Sequence, residues 1–527
     1  MVDHQFSLIL LTILLLFSFG CNPGPSPSED QRYTEQYRPR FHFSPDSMWM
    51  NDPNGMVFYE GEYHLFYQHY PFDNVWGPMH WGHAVSRDLI HWAHLPVALH
   101  PDSLGYIFSG SAVVDRHNTS GLGSGDNPPV IAVFTHHNAR MREAGLEGYQ
   151  YQSIAYSLDH GRTWTKYEGN PVLVNPGIKD FRDPKVIWYD DGRKWLMVLA
   201  AHDRVMFFSS PDLIHWSFES AFGENTGAHG GVWECPDLFP LGSEEVKKWV
   251  LLVSVNPGGP NGGSGTQYFI GEFDGHRFIN QNPSTDPLWI DFGKDNYAGV
   301  TWSGIPEDDG RRIFIGWMSN WQYANRLPTT RWRNAMTLPR ELKLADLGDD
   351  FRLRSIPLEE LEQLRKEPVK VTPGKLSGTK VICSAPELSA DQLEIELRVR
   401  IPTEEGTAMP SGFGLVFSNQ LDQQLIAGFN FHNREVFVDR TGAGKTGFSE
   451  HFPGVHTAPV PPHQAGEWYL HAFVDHSSIE LFVNEGLTVM TELFFPGERF
   501  DQLTIYARNA PVEILSGKVY PLESIWY

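Results

Sequence analysis

A short turn motif returns along this chain and restricts its fold more than any other feature. Ser86-Arg87-Asp88-Leu89-Ile90-His91-Trp92 recurs as Ser157-Leu158-Asp159-His160-Gly161-Arg162-Thr163-Trp164 and as Ser210-Pro211-Asp212-Leu213-Ile214-His215-Trp216. A fainter copy is Glu272-Phe273-Asp274-Gly275-His276-Arg277-Phe278. Each copy reads as a turn between two strands, with the Asp fixing the turn and the closing aromatic packing between sheets. Around the copies lie short β runs such as Tyr63-His64-Leu65-Phe66-Tyr67-Gln68 and Lys194-Trp195-Leu196-Met197-Val198-Leu199, and no long helical period. Recurrence roughly every 50 to 70 residues suits the four-stranded blades of a β-propeller, and about five fit into residues 37–344.

A different pattern follows. Ser355-Ile356-Pro357-Leu358-Glu359-Glu360-Leu361-Glu362-Gln363-Leu364-Arg365-Lys366 predicts a short helix, capped by Ser355 with Pro357 in its first turn, inside a connector over 345–367. Beyond it Gln392-Leu393-Glu394-Ile395-Glu396-Leu397-Arg398-Val399 alternates polar and apolar, as half-buried strands do, and similar runs lie at 468–474 and 478–483. Residues 368–527 are therefore expected to form a β-sandwich, giving an all-β chain of two domains.

The N-terminus carries an address. Residues 6–19 are apolar apart from Ser and Thr, too short a run to span a bilayer comfortably, and are expected to be a secretory signal. The run closes on Ser18-Phe19-Gly20-Cys21, so residues 1–21 resemble a lipoprotein-type signal peptide with Cys21 as the lipid attachment point. The alternative is a simple secreted chain with a cleaved signal. The Pro- and Ser-rich stretch that follows makes 22–36 a flexible linker. Any contact with a membrane would run through that anchor alone. Cys235 and Cys383 are the remaining cysteines, about 150 residues apart, which is no disulfide framework. A net charge of −23 argues against nucleic acid, whose phosphates need a basic footprint, and suits a neutral substrate. Aromatic content of 13%, with 17 Trp, supplies faces on which sugars stack.

Three acidic motifs carry the chemistry. Trp49-Met50-Asn51-Asp52-Pro53-Asn54-Gly55 reads first as a tight turn holding a carboxylate. Phe181-Arg182-Asp183-Pro184 and Trp233-Glu234-Cys235-Pro236-Asp237 supply two more carboxylates from other parts of the repeat array. Blades present residues to one central funnel, where Asp52, Asp183 and Glu234 can converge. Cleaving a glycosidic bond with retention needs two carboxyl groups about 5 Å apart, one as nucleophile and one as proton donor. A third can hold sugar hydroxyls through charge-assisted hydrogen bonds.

With these motifs the chain resembles glycoside hydrolase family 32, the invertases, inulinases and levanases, over nearly everything from Tyr37 onward. Trp76-Gly77-Pro78-Met79-His80-Trp81-Gly82-His83, Phe108-Ser109-Gly110-Ser111-Ala112 and Gly316-Trp317-Met318-Ser319-Asn320-Trp321 carry the resemblance further. It implies Asp52 as nucleophile, Glu234 as acid/base and Asp183 as the holder of fructose hydroxyls. It implies a fructose pocket of Asn51, Gln68, Trp76, Phe108, Ser109, Arg182 and Trp321, and no cofactor. Trp317 is assigned to the core. Asn296 departs from the family pattern, which often has Phe before Tyr297-Ala298, and is expected to reshape the pocket rim. Cys235 either tunes Glu234 or is an inert buried thiol.

Two other clusters are set aside. His80 and His83 sit three apart in a strand-like segment and face opposite sides, which argues against a metal site with His136 and His137. The Gly-rich 257–265 lacks the Lys-Ser/Thr end of a phosphate loop and is expected to be a mobile loop at the funnel mouth. The expected activity is exo-acting hydrolysis of terminal fructose from levan, inulin or sucrose. The alternatives are a fructosyltransferase on the same scaffold and a non-catalytic fructan-binding surface protein. Linkage preference, oligomeric state and the role of the sandwich are not specified by the sequence.

Overall fold

Each repeat motif forms the turn between the third and fourth strands of a blade. Asp88 accepts from the backbone N–H groups of Ile90 and His91, and Asp212 does the same for Ile214 and His215. Asp159 and Asp274 cap their turns from the same position. The closing aromatic then fills the seam with the preceding blade. Trp164 packs on Phe66 of blade 1, Trp216 joins the core between blades 2 and 3, and Phe278 lies against Leu196 and Val198 of blade 3. Trp92 stacks near Trp302 of blade 5. A fifth copy, too altered to read in the sequence, is Asp346 to Phe351, whose ring meets the core of blade 4.

The computed structural model describes residues 33–526 except 126, 244, 283–285, 349, 387, 402–407 and 461–465. The signal, Cys21 and most of the linker lie outside the described residues. Tyr33 and Gln36, at the expected linker's end, are pinned on the sandwich: Tyr33 stacks on Trp526 at 4.1 Å, and Gln36 bonds the carbonyl of Gly497.

Five antiparallel sheets form the five-bladed propeller, with inner strands Met48–Tyr59, Tyr106–Val114, Phe181–Tyr189, Val232–Gly242 and Tyr297–Thr301. The ring closes where Trp332–Arg333 pairs in parallel with the first inner strand and Ser303 bridges to Val57. The expected connector helix is not α-helical. Ser355 lies in the strand Phe351–Pro357, paired with Arg340–Asp346, so blade 5 runs on to Pro357. Only Glu359–Leu364 turns, as a 3-10 helix whose i and i+3 positions, Leu361 and Leu364, bury together.

The C-terminal domain is a β-sandwich threaded by one long strand, Gln502–Pro521. Its first half pairs with Gly412–Ser418 and its second with Leu393–Arg400, so it crosses from one face of the core to the other.

Buried charges join the two domains. Arg340 pairs with Asp291 and Glu480, and His42 is held between Asp475 at 2.8 Å and Glu480 at 3.0 Å. Burial opposes charge on His42, but its hydrogen bonds to the two carboxylates outweigh burial and push it up to about 9. A raised pKa means stability that is complete below the unfolded value of 6.5 and is lost as pH rises through about 9. Urea midpoints should therefore fall between pH 6.5 and 9 in the parent. They should fall less in His42→Gln, which lacks this titration.

Candidate active site

The Asp52 motif is not a turn. Trp49 to Gly55 lies inside an inner strand, and the pairing register slips between Met50 and Pro53. The same slip occurs in all five inner strands, at Asp52, at Phe108-Ser109, at Asp183-Pro184, at Cys235-Pro236 and at Ala298-Gly299. These are β-bulges, which re-aim a side chain at the cost of ladder pairing. Proline is tolerated there because the bulge needs no N–H from that residue. Asp183, Cys235 and Ala298 take positive φ at these points, so the backbone holds the kink. Gly55 also has φ +58, and a Cβ there would lie 2.5 Å from the Trp81 ring. Five bulges at one level thus turn five strands toward the axis.

The result is a cavity of about 430 Å³ that brings together every expected site residue within the described chain: Asp52, Asp183, Glu234, Asn51, Gln68, Trp76, Phe108, Ser109, Arg182 and Trp321. Asp52 accepts from Asn51 Nδ2 at 3.0 Å and from Ser109 Oγ at 2.9 Å. The amide of Asn51 is itself oriented by Trp49 Nε1, at 2.7 Å from its oxygen. Arg182 donates to Glu234 Oε1 at 2.8 and 3.1 Å and to Asp180 at 2.7 Å, while the Tyr297 hydroxyl donates to Glu234 Oε2. Asp183 accepts from the backbone N–H of Cys235 at 3.1 Å.

Burial, and next the charge of Glu234, raise Asp52 above the usual carboxylate range. Asp183 is raised too, by burial and by Glu234 and Asp52, against the opposing pull of Arg182. The Cys235 thiol is pushed well up, first by burial and then by the nearby carboxylates. Its sulfur sits 3.6 Å from both Asp52 and Asp183, so it is a neutral weak donor beside those two groups.

Aromatic rings wall the mouth. Trp76 meets Phe108 edge-on at 6.2 Å, and Phe108 stacks on His137 at 4.3 Å. Trp321 rests on Trp49 and on Trp317, which is fully buried as expected. Below the carboxylates the axis is almost filled, leaving about 10 Å³ among Pro53, Gly110, Pro184 and Pro236.

Several expectations need correcting. Asn296 does not reach the rim: it is buried and bonds Asp291 at 3.1 Å, near the interdomain charges. The Gly-rich loop is no free mouth loop. Its backbone closes on itself at Gly258, Gly259 and Gly263, Asn261 bonds Phe292 and Thr457, and Ser264 Oγ accepts from the Trp321 N–H. It therefore fixes Trp321 and ties the propeller to the sandwich. His83 faces His64 in the core, whereas His137 lines the cavity. Tyr297, Asp180, Gln150, Tyr149 and Asn256 are site residues that sequence reasoning missed. Tyr297 and Asp180 flank quoted motifs, which was the one usable signal. Gln150 enters by pairing across strands with His137, which nothing local announces.

Comparison with known proteins agrees with this geometry. The glycosyl hydrolases family 32 N-terminal domain model matches residues 42–357, and the family 32 C-terminal model matches 360–521. A levanase of Bacillus subtilis is 48% identical over 98% of this chain and 75% of its own length. The crystal structure of exo-inulinase from Aspergillus awamori superposes with a TM-score of 0.86 at 36% identity, covering 94% of this chain and 100% of that one. Fructofuranosidase from Schwanniomyces occidentalis, solved with fructose, gives 0.84 at 31%, covering 94% and 99%. The two family models between them run from the first blade to the last long strand, and the chain belongs to glycosyl hydrolase family 32.

Proposed function

We propose that this chain is an exo-acting β-fructosidase that removes terminal fructose from levan, inulin or sucrose by a retaining double displacement. The observation that carries the reading is the meeting of Asp52 and Glu234 in one cavity that is closed beneath them. A blind cavity accepts a chain end, whereas cutting within a polymer needs an open groove.

In the first step an Asp52 oxygen bonds to the anomeric carbon as the bond from that carbon to the glycosidic oxygen breaks, and Glu234 gives its proton to that oxygen, so the rest of the chain leaves as an alcohol. In the second, Glu234 takes a proton from water, which displaces Asp52 and releases fructose with its configuration kept. Tyr297 serves both halves, since its hydroxyl can donate to a carboxylate and accept from an acid. Asp183, Asn51 and the unpartnered Nε2 of Gln68 face the sugar's hydroxyls, and Trp76 and Trp321 its apolar edge. Chromatography of products from levan, inulin and sucrose tests this: free fructose is expected from the first time points, and a ladder of oligomers would refute exo action.

Export through the N-terminal apolar run, with lipidation at Cys21, belongs to the same proposal. It is supported by the small residue Gly20 directly before Cys21 and by extracellular naming among relatives such as the exo-inulinase of Aspergillus awamori. Labelled fatty acid should enter the parent and not Cys21→Ser; equal labelling would rule the anchor out.

A further inference from the structure

The inner strands that begin at the carboxylate cavity end at a second one. Their far ends line a space of about 440 Å³, walled by Trp188, Tyr189 and Trp249. Along the inner strand Phe181–Tyr189, Asp183 faces the first space and Ile187, Trp188 and Tyr189 the second, a step of about 13 Å at the usual rise. Between them Lys185 Nζ bonds Asp237 at 3.1 Å and the carbonyl of Thr301 at 2.6 Å, blocking the axis. The two spaces are separate sites on one propeller.

Arg312 is the unexplained group in this second space. Its guanidinium lies 5.1 Å from the Phe239 ring centre, and its Nε has neither solvent nor an acceptor. Only that Nε is both buried and without a partner; the charge of Asp237 offsets part of the burial of the guanidinium, which lines the space. A guanidinium left this way is costly. At the rim stand the exposed carboxylates of Asp190 and Asp191, and Asp190 accepts from Trp188 Nε1 at 2.9 Å, holding the indole in place. Arg116, His117 and Lys247 also line the space, so charges of both signs surround it and neither an anion nor a cation is singled out, whereas both signs bond hydroxyls. Guanidinium donors, carboxylate acceptors and aromatic faces together suit a neutral polyhydroxylated ligand.

We propose that this cavity is a second, non-catalytic carbohydrate site, which holds a fructan strand while a chain end is cut at the opposite end of the propeller. The substrate class rests on the β-fructosidase reading. Holding polymer there raises the effective concentration of chain ends at Asp52 without any new catalytic contact.

Retardation in native gels containing levan tests it, in a Glu234→Gln background so that polymer is not consumed. Trp188→Ala and Arg312→Met should each weaken apparent levan affinity by roughly tenfold. In the otherwise unaltered enzyme both should keep kcat/KM on sucrose, which also shows that they fold. Levan retarding both variants as strongly as the parent would overturn the proposal. Failure of the unaltered enzyme to hydrolyse sucrose or levan would instead overturn the β-fructosidase reading, and the gel would still report on the second site.

Discussion

Asp52→Asn should lower kcat on sucrose by on the order of 10⁵-fold, the scale of loss when a covalent nucleophile is removed. The substitution keeps the shape of the side chain, and Ser109 and Asn51 retain a group to bond. Folding should therefore be preserved, since the bulge is set by backbone pairing and by Gly55 and Pro53 rather than by the carboxylate. Loss of kcat without loss of the thermal midpoint separates a chemical role from a structural one. A variant that keeps more than about a hundredth of parental kcat would place the nucleophile elsewhere, because general acid catalysis and binding alone leave far less.

Glu234→Gln should cost about 10² to 10⁴ in kcat on sucrose, whose leaving group needs a proton. On a fructoside with an acidic leaving group the loss should be much smaller, because no proton is required. The same substitution should also change the pH profile. Glu234 acts in its protonated form, so its loss on ionisation shapes the basic limb of kcat/KM. Measured with the activated fructoside, that limb should flatten in Glu234→Gln, while the acid limb set by Asp52 remains. A basic limb kept unchanged would place the proton donor elsewhere. Arg182→Met is a useful contrast: it removes the cation that opposes the rise of Asp183, so that carboxyl should be raised further.

What the sequence made legible was what is local. The Ser-x-Asp turn and its closing Trp are read within eight residues, and they place the blades because each turn is complete in itself. Blade 5 escaped because its copy, Asp346 to Phe351, has lost both the Ser and the Trp while keeping the capping Asp and an aromatic. The helix expected at Ser355 failed for a tertiary reason. Pairing with Arg340–Asp346 and a bond to Gly486 of the sandwich claim that segment as strand.

The carboxylates were legible as motifs, since each is bracketed by Pro and aromatic residues. Their aim was not. It depends on bulges, which are properties of two paired strands and not of one. The same limit hid Gln150 and Asn256, each delivered by a neighbouring strand's register. Asn296 shows the converse error: a departure beside the site was read as part of it, whereas its side chain points into the domain interface.

In the proposed mechanism a fructosyl unit passes through a covalent bond to Asp52. Rapid quenching of Glu234→Gln with an activated fructoside, followed by proteolysis and mass spectrometry, tests it directly. One anhydrofructose unit is expected on the peptide that carries Asp52, disappearing as product forms. The same unit on another carboxylate, or product formed with no adduct and inverted configuration, would contradict it.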